Sequence, residues 1–299
     1  MSRNKIVVYE THLESLWRAW DGYLERVPAE RWTKRYGPDW TYADVPWHIA
    51  YFDRVMVADV IEKGRELPLE ERFDMRTVRQ LNAWNAAEFA KRPAGTTPQE
   101  SIAEMRRQRE RVRRLLAGLD DDDLARPAYN HFFGVGWSNI ESALAGARLH
   151  TWSELFEFGL RLDGRPPKVE PAIVHAGLDA YLGMMPVFAD PDVARRLRSF
   201  TVGVEITGDG GGEWTIQVAD GIPGTRDGGA SNPDVRLRMS ADTYMRMFKK
   251  LTQPPLLMIT GRMRVKPLSK LGTFGKLFAE PAPDRVADPK LASVAMSAG

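Results

Sequence analysis

Along the first half of the chain, apolar residues return every third or fourth position. Leu13, Leu16, Trp17, Trp20, Leu24 and Val27 form one stripe of an amphipathic helix, which Pro28 closes. Thr41 followed by Asp44 reads as a capping box opening a second helix, whose buried side is Val45, Ile49, Phe52, Val55 and Val60. Pro46, just past the first turn, is expected to cost a hydrogen bond and bend that start. Thr97, Pro98 and Glu100 give a complete start signal for a helix that runs to Gly118. Ser138 and Glu141 open another that runs to Leu162, with Gly164 placed to end it. A shorter helical piece, Val78 to Phe89, lies between the second and third long helices. The pattern predicts an all-helical bundle of four long helices.

Past Gly164 the pattern changes. Arg165 to Pro171 is polar and Pro-rich, a linker, and Ile173 to Met185 reads as a connecting helix. The apolar period then drops from 3.6 to 2. Phe200, Val202, Val204 and Ile206 alternate with small or polar residues, Gly208 to Gly212 turns the chain, and Trp214, Ile216 and Val218 return. Val235, Leu237 and Met239 make a further strand, and Ile259 to Val265 another. Helices are expected at Tyr244 to Leu251 and Leu268 to Phe278. The expected division is a bundle over 1–165, a linker with its helix over 166–189, a sheet-and-helix domain over 190–282 and a loose tail over 283–299. The fold class is α+β, with a mixed sheet in the second domain.

Composition narrows the chemistry. Among 299 residues, 42 Lys and Arg face 40 Asp and Glu, so no large field exists for nucleic acid or an anionic membrane surface. No cysteine is present, which removes disulfides, thiolate metal sites and cysteine nucleophiles. No stretch approaches the ~20 apolar residues needed to insert through a bilayer, and the first residues lack a leader pattern. A cytoplasmic address is the expectation by elimination. The basic run Arg106 to Arg114 is interrupted by Glu110 and reads as a solvated helix face. Asp120 to Asp123 lacks calcium-loop spacing and reads as a polar turn. The glycines of Gly208 to Gly212 and Gly221 to Gly229 join strands rather than open helices, so neither run cradles phosphate.

Two stretches resemble known families. Trp40 to Asp53 (WTYADVPWHIAYFD) is similar to the second helix of DinB-like bundles, and Gly146 to Leu155 (GARLHTWSEL) to their fourth. Asn82 to Asn85 and Thr97 to Leu119 fit the thiol-dependent maleylpyruvate-isomerase branch of that family. Further on, Asp234 to Met239, Ala241 to Leu251, Thr260-Gly261 with Arg264 to Lys266, and Lys276 to Phe278 resemble the sterol-carrier-protein pattern element by element. The second resemblance implies a five-stranded sheet whose helices enclose an apolar tunnel.

The first resemblance implies a divalent metal held by three side chains with positions left open. Mapped here, they are His48, His150 and Glu154, the last two one helical turn apart on one face. Such a set suits zinc first, with nickel or iron as alternatives. Relatives carry His at the place of Glu154, and the isomerase branch has Glu one turn before the fourth-helix His, where this chain has Gly146. Any thiol cofactor would come from outside, as a low-molecular-weight compound. The plain alternative is a bundle in which the three residues only hydrogen-bond one another. His131 either lines the mouth of the site or is an ordinary loop residue. In the second domain Trp214, Met239, Phe248, Met258, Met263 and Phe274 are the expected lining of an apolar cavity, although Met at these spacings serves packing equally well.

Three functions fit this reading. One is a metal-dependent, thiol-using transferase or isomerase acting on an apolar small molecule. Another is a non-enzymatic carrier of a lipid-like hydrophobic ligand. The third is a metal-free tailoring enzyme, such as a cyclase, that uses the tunnel.

Overall fold

The structure is a computed structural model that describes residues 2–37, 40–73, 75, 78–131 and 136–278. The expected tail over 283–299 and the middle of the aromatic loop after His131 lie outside these residues. The chain divides into two compact units between Pro167 and Lys168.

The first unit is built on α1 (Asn4–Leu24), α2 (Asp44–Phe52), α3 (Asp59–Lys63), α4 (Val78–Ala90), α5 (Pro98–Ala117), a hairpin of β1 (Pro127–Asn130) and β2 (Gly136–Asn139), and α6 (Ile140–Asp163). Helix α1 packs on α6, and α2 on α5. Leu13, Leu16, Trp17, Trp20 and Leu24 are all buried, as the stripe predicts. Trp20 lies across Phe158 at 5.0 Å and donates its Nε1–H to the Thr151 carbonyl at 3.1 Å, so α1 and α6 lock by both packing and a hydrogen bond.

Local signals set the helix ends with two differences from expectation. Thr97 and Glu100 form the expected reciprocal capping box on α5, and Gly164, at φ 73°, closes α6 in the left-handed conformation. Helix α2, however, starts at Asp44 itself, whose Oδ2 accepts from the Thr41 amide and hydroxyl at 2.7 and 2.8 Å. Pro46 therefore sits in the first turn, where the missing N–H has no intrahelical partner to lose. Asn139, not Ser138, caps α6 by accepting from the Ser142 amide at 2.9 Å. Between α2 and α3 the chain runs through a π-helical stretch, Asp53–Ala58, a widening that no periodicity signalled.

The first unit is not all-helical. Strands β1 and β2 pair antiparallel, with Tyr129 opposite Trp137 and their rings edge to face at 5.4 Å. A cross-strand aromatic pair at this spacing is a standard source of hairpin stability.

The second unit contains α7 (Pro171–Gly183), α8 (Pro191–Leu197), β3 (Ser199–Thr207), β4 (Gly212–Ala219), β5 (Ile222–Asp227), β6 (Val235–Ser240), α9 (Ala241–Phe248), α10 (Pro254–Ile259), β7 (Met263–Lys266) and α11 (Leu271–Leu277). Its sheet has the order β5-β4-β3-β6-β7, with β3 and β6 parallel and the other neighbours antiparallel. Val204 faces Trp214 and Leu237 in register, so Phe200, Val202, Val204, Ile206, Trp214 and Leu237 share one buried face. Helix α7 packs against β4 and β5, and α9 against β3 and β6.

Two expectations here are corrected. Ile259 is not in a strand but ends α10 and is exposed, because the Pro254-Pro255 pair initiates a helix and Gly261, at φ 70°, turns the chain before Met263. Strand β5 forms where only a glycine-rich link was expected. Asp220 and Gly221 both take positive φ between the paired Ala219 and Ile222, the two-residue turn that an Asp-Gly dipeptide favours.

Candidate metal centre

Helix α2 carries His48 on its buried side, and α6 brings His150 and Glu154 up one turn apart. The His48 and His150 Nε2 atoms are 3.1 Å apart, and His150 Nε2 is 4.0 Å from Glu154 Oε1. One ligand atom from each of the three residues lies within 4.8 Å of the others. The structure thus brings the three expected donors together.

The surrounding groups orient His48. The Tyr51 hydroxyl donates to Asn85 Oδ1 at 3.0 Å and stands 2.6 Å from His48 Nδ1. With the Tyr51 proton on Asn85, the His48 tautomer that completes the short contact is the one protonated on Nδ1. Burial, followed by the charges of Glu154 and Glu88, pushes the Tyr51 phenol far above its ordinary pKa, which keeps the hydroxyl protonated. In that tautomer His48 Nε2 accepts from His150 Nε2–H at 3.1 Å, on the side where Glu154 also lies. A hydrogen-bonded Nδ1–H that leaves Nε2 as donor is the arrangement that holds a metal-ligating imidazole.

Aromatic rings fix the rest. The Phe52 ring lies flat on His150 at 3.5 Å and 2°, and Trp40 packs on His48 at 4.6 Å. Tyr51 in turn meets Trp84 and Phe89 edge to face at 5.3 and 5.5 Å. Glu88 is also buried, but its carboxylate is taken by Arg54 at 2.7 Å and Lys91 at 2.5 Å.

These residues fit a divalent ion on chemistry and on spacing. Two ligands about 2.1 Å from a tetrahedral zinc stand about 3.4 Å apart, close to the imidazole separation, and a small movement of Glu154 would bring its carboxylate to the same range. No thiolate is available to the site, because the chain has no cysteine.

His131 is placed beside the centre, not in it. It is 2% exposed, its ring stacks on Phe73 at 4.1 Å, and burial pushes its pKa down to about 4. It lines a cavity of about 40 Å³ together with Phe52 and Gly146, so it reaches the centre only through the ring that stacks on His150. A Cβ built on Gly146 meets nothing within 4 Å, leaving open the place from which a glutamate one turn earlier would project.

Of the six residues expected to line a cavity in the second unit, Trp214, Met239 and Met263 are buried, and Met239 sits opposite Met263 across β6 and β7. Trp214 donates to Asp179 Oδ1 on α7 at 3.0 Å. Phe248 is 37% exposed and meets Tyr181 edge to face, and Met258 and Phe274 are half-buried.

Tyr51 and Asn85 both fall inside stretches quoted for the family resemblance, Trp40 to Asp53 and Asn82 to Asn85, but neither was expected at the site. Tyr51 stands three residues after His48, the spacing at which helical side chains meet, so its partnership was readable in principle. Asn85 comes from a separate helix, so only the fold brings it to Tyr51.

Comparison with known proteins agrees with this architecture. The family model of the DinB superfamily matches residues 12–153, and that of the SCP-2 sterol transfer family matches residues 188–266. The chain is DinB-like in its first unit and SCP-2-like in its second. Among solved structures, the mycothiol-dependent maleylpyruvate isomerase is similar at 10% identity and a TM-score of 0.44, over 82% of this chain and 90% of that one. Sterol carrier protein 2 from Yarrowia lipolytica is similar at 13% identity and a TM-score of 0.28, over 38% of this chain and 98% of its own. The sec-alkylsulfatase Pisa1 from Pseudomonas sp. is similar at 14% identity and a TM-score of 0.32, over 69% of this chain, which spans 28% of that enzyme's length. No curated protein matches the sequence. Among the described residues, no helix is long and apolar enough to cross a membrane.

Proposed function

We propose that the DinB-like unit is a metal-dependent transferase or isomerase centre and that the SCP-2-like unit holds an apolar substrate or product. The observation that carries this reading is the convergence of one ligand atom each from His48, His150 and Glu154 within 4.8 Å, with Tyr51, itself bonded to Asn85, seated against His48 Nδ1. A divalent ion held there, zinc first and nickel or iron as alternatives, supplies Lewis acidity and open positions for an external thiolate or a substrate carbonyl. His48 and His150 bind through Nε2, and Glu154 adds the negative charge. Phe52 holds the His150 ring in plane, while Trp40, Tyr51 and Phe89 exclude water on the His48 side. With no cysteine in the chain, a sulfur nucleophile would enter as a small soluble thiol.

Elemental analysis of protein purified without an affinity tag tests the reading. Stoichiometric metal is expected in the wild type and its loss in His48→Ala and His150→Ala. Tyr51→Phe removes the hydroxyl that bonds His48 Nδ1 and should weaken zinc affinity by about 10–100-fold with the fold retained. If the wild type neither carries metal nor takes up zinc, the three residues only hydrogen-bond one another. The reading that remains is a hydrophobic-ligand carrier, supported by the SCP-2 match and tested by extraction of co-purified lipid.

A further inference from the structure

The charge balance of the whole chain conceals an uneven distribution in the second unit. Residues 168–234 carry five Lys and Arg against ten Asp and Glu, whereas residues 235–278 carry ten against one, Asp242. The residues after Phe278 add two bases and three acids and do not reverse this. The expectation of no field for an anionic surface thus holds for the total and fails for this part. In the sheet order β5-β4-β3-β6-β7, the acidic stretch supplies β3 to β5, and the basic stretch supplies β6 and the edge strand β7.

Strands β6 and β7 set like charges side by side. Arg236 stands opposite Lys266, and Arg238 opposite Arg264. All four are exposed on the face away from the buried Val235, Leu237, Met239, Met263 and Val265. Like charges directly opposite across a ladder are destabilising. The rest of the unit offsets this only in part. Glu205 pairs with Arg238 at 3.4 Å, Asp234 with Lys270 at 3.8 Å, and the Ser231 carbonyl accepts from Arg236 at 3.0 Å. Even with Glu205, Asp234 and Asp242 counted, the stretch keeps an excess of seven positive charges.

Aliphatic side chains protrude among these cations. Leu256 and Ile259, one helical turn apart on α10, are 56% and 83% exposed, and Leu268, two residues past Lys266, is 67% exposed. Leu257 between them is buried, so α10 packs by one side and offers the other to solvent. Exposed aliphatics interleaved with cations around one sheet edge match the interface of an anionic bilayer, where headgroup phosphates take the charges and the acyl boundary takes the apolar side chains. Between Leu256 and Lys270 no aromatic ring is present on which a nucleic-acid base could stack.

We propose that the β7 edge of the second unit, with α10 and the turn after β7, docks on anionic phospholipid bilayers. Arg262, Arg264 and Lys266 meet the headgroups, and Leu256, Ile259 and Leu268 reach the acyl boundary. This surface lies outside both the His48, His150 and Glu154 trio and the buried sheet face, so it goes beyond the function proposed above and does not depend on it.

The test is co-sedimentation of the full chain with phosphatidylcholine vesicles made with and without phosphatidylglycerol. Binding is expected only with phosphatidylglycerol, and it should fall steeply between about 0.1 M and about 1 M salt as the Debye length contracts from ~10 to ~3 Å. One cation near such a surface contributes about fivefold in affinity, so Arg262→Gln with Arg264→Gln should weaken binding by about 30-fold. Ile259→Ser with Leu268→Ser should weaken it by about tenfold or more at unchanged charge. All four positions are exposed, so both variants should keep the fold, which circular dichroism checks. Ile222→Ser, exposed on the opposite edge strand β5, should leave binding unchanged. No binding to the anionic vesicles overturns the proposal, as does equal binding to phosphatidylcholine alone or binding that both double variants leave intact. A loss confined to the Arg262 and Arg264 variant, or a single-stranded oligonucleotide that binds as tightly as the vesicles, would mark a bare polyanion surface and overturn it. An equal loss in Ile222→Ser would put the contact elsewhere and overturn it too.

Discussion

Two buried titratable residues, Asp53 and His131, pull the stability of the protein in opposite directions over one range of pH. Burial raises the Asp53 carboxyl from 3.8 to about 7, and the attraction of Arg109 only partly offsets it. Between these values the folded protein keeps a proton that the unfolded chain has released, so stability falls as pH rises. Burial lowers His131 from 6.5 to about 4. There the unfolded chain holds the extra proton, and stability rises with pH. Each slope is about 1.4 kcal/mol per pH unit, so across pH 4 to 6.5 they largely cancel. Denaturant unfolding of metal-free protein at several pH values should show this. Asp53→Asn should give stability that climbs from pH 4 to 6.5, and His131→Gln stability that declines up to about pH 7. Parallel curves for wild type and both variants would show that neither group titrates as its burial dictates.

At the scale of elements, what was legible depended on whether the signal was local. The Thr97–Glu100 box and the Gly164 stop are each written in a few neighbouring residues and form where expected, as does the buried stripe of α1, although that helix ends at Leu24, before Val27 and Pro28. His150 and Glu154 were readable together because an interval of four puts both on one helix face. Arg109 was hidden by its charged neighbours, although Met105, Arg109, Val112 and Leu116 mark the buried stripe of α5. Strand β5 depends on backbone pairing with β4, and the π-helical stretch after Phe52 on packing against α5, so composition showed neither. Gly146 poses an element-scale question with a measurable answer. It lies inside α6, where glycine costs conformational entropy, and an added Cβ meets nothing within 4 Å. Gly146→Ala should therefore stabilise the first unit by about 0.5–1 kcal/mol in denaturant unfolding. A loss of stability would mean that the small cavity shared with His131 has to stay open.

For the whole molecule, the two units offer two different chemistries: an inward His-His-Glu trio proposed to hold a metal in one, and one apolar sheet face under α7 and α9 in the other. A ligand that binds only the native form stabilises the unit that holds it, by mass action. Hydrogen exchange resolved by peptide can therefore assign each ligand to its unit within the intact chain. Zinc added to chelator-treated protein should slow exchange in α2 and α6, around His48 and His150, and leave β3 to β7 unchanged. A long-chain fatty acid should do the reverse, with protection strongest in β4, β6 and β7 around Trp214, Met239 and Met263. These three are buried on the sheet, whereas Phe248, Met258 and Phe274 are partly exposed, so the acyl chain has to part the helices from the sheet to reach the deeper residues. Met239 and Met263 face one another across neighbouring strands, and their unbranched side chains can repack around such a guest. Fatty-acid protection confined to the first unit, or absent at saturating lipid, would leave the second unit as a packed core and remove the proposed source of substrate binding.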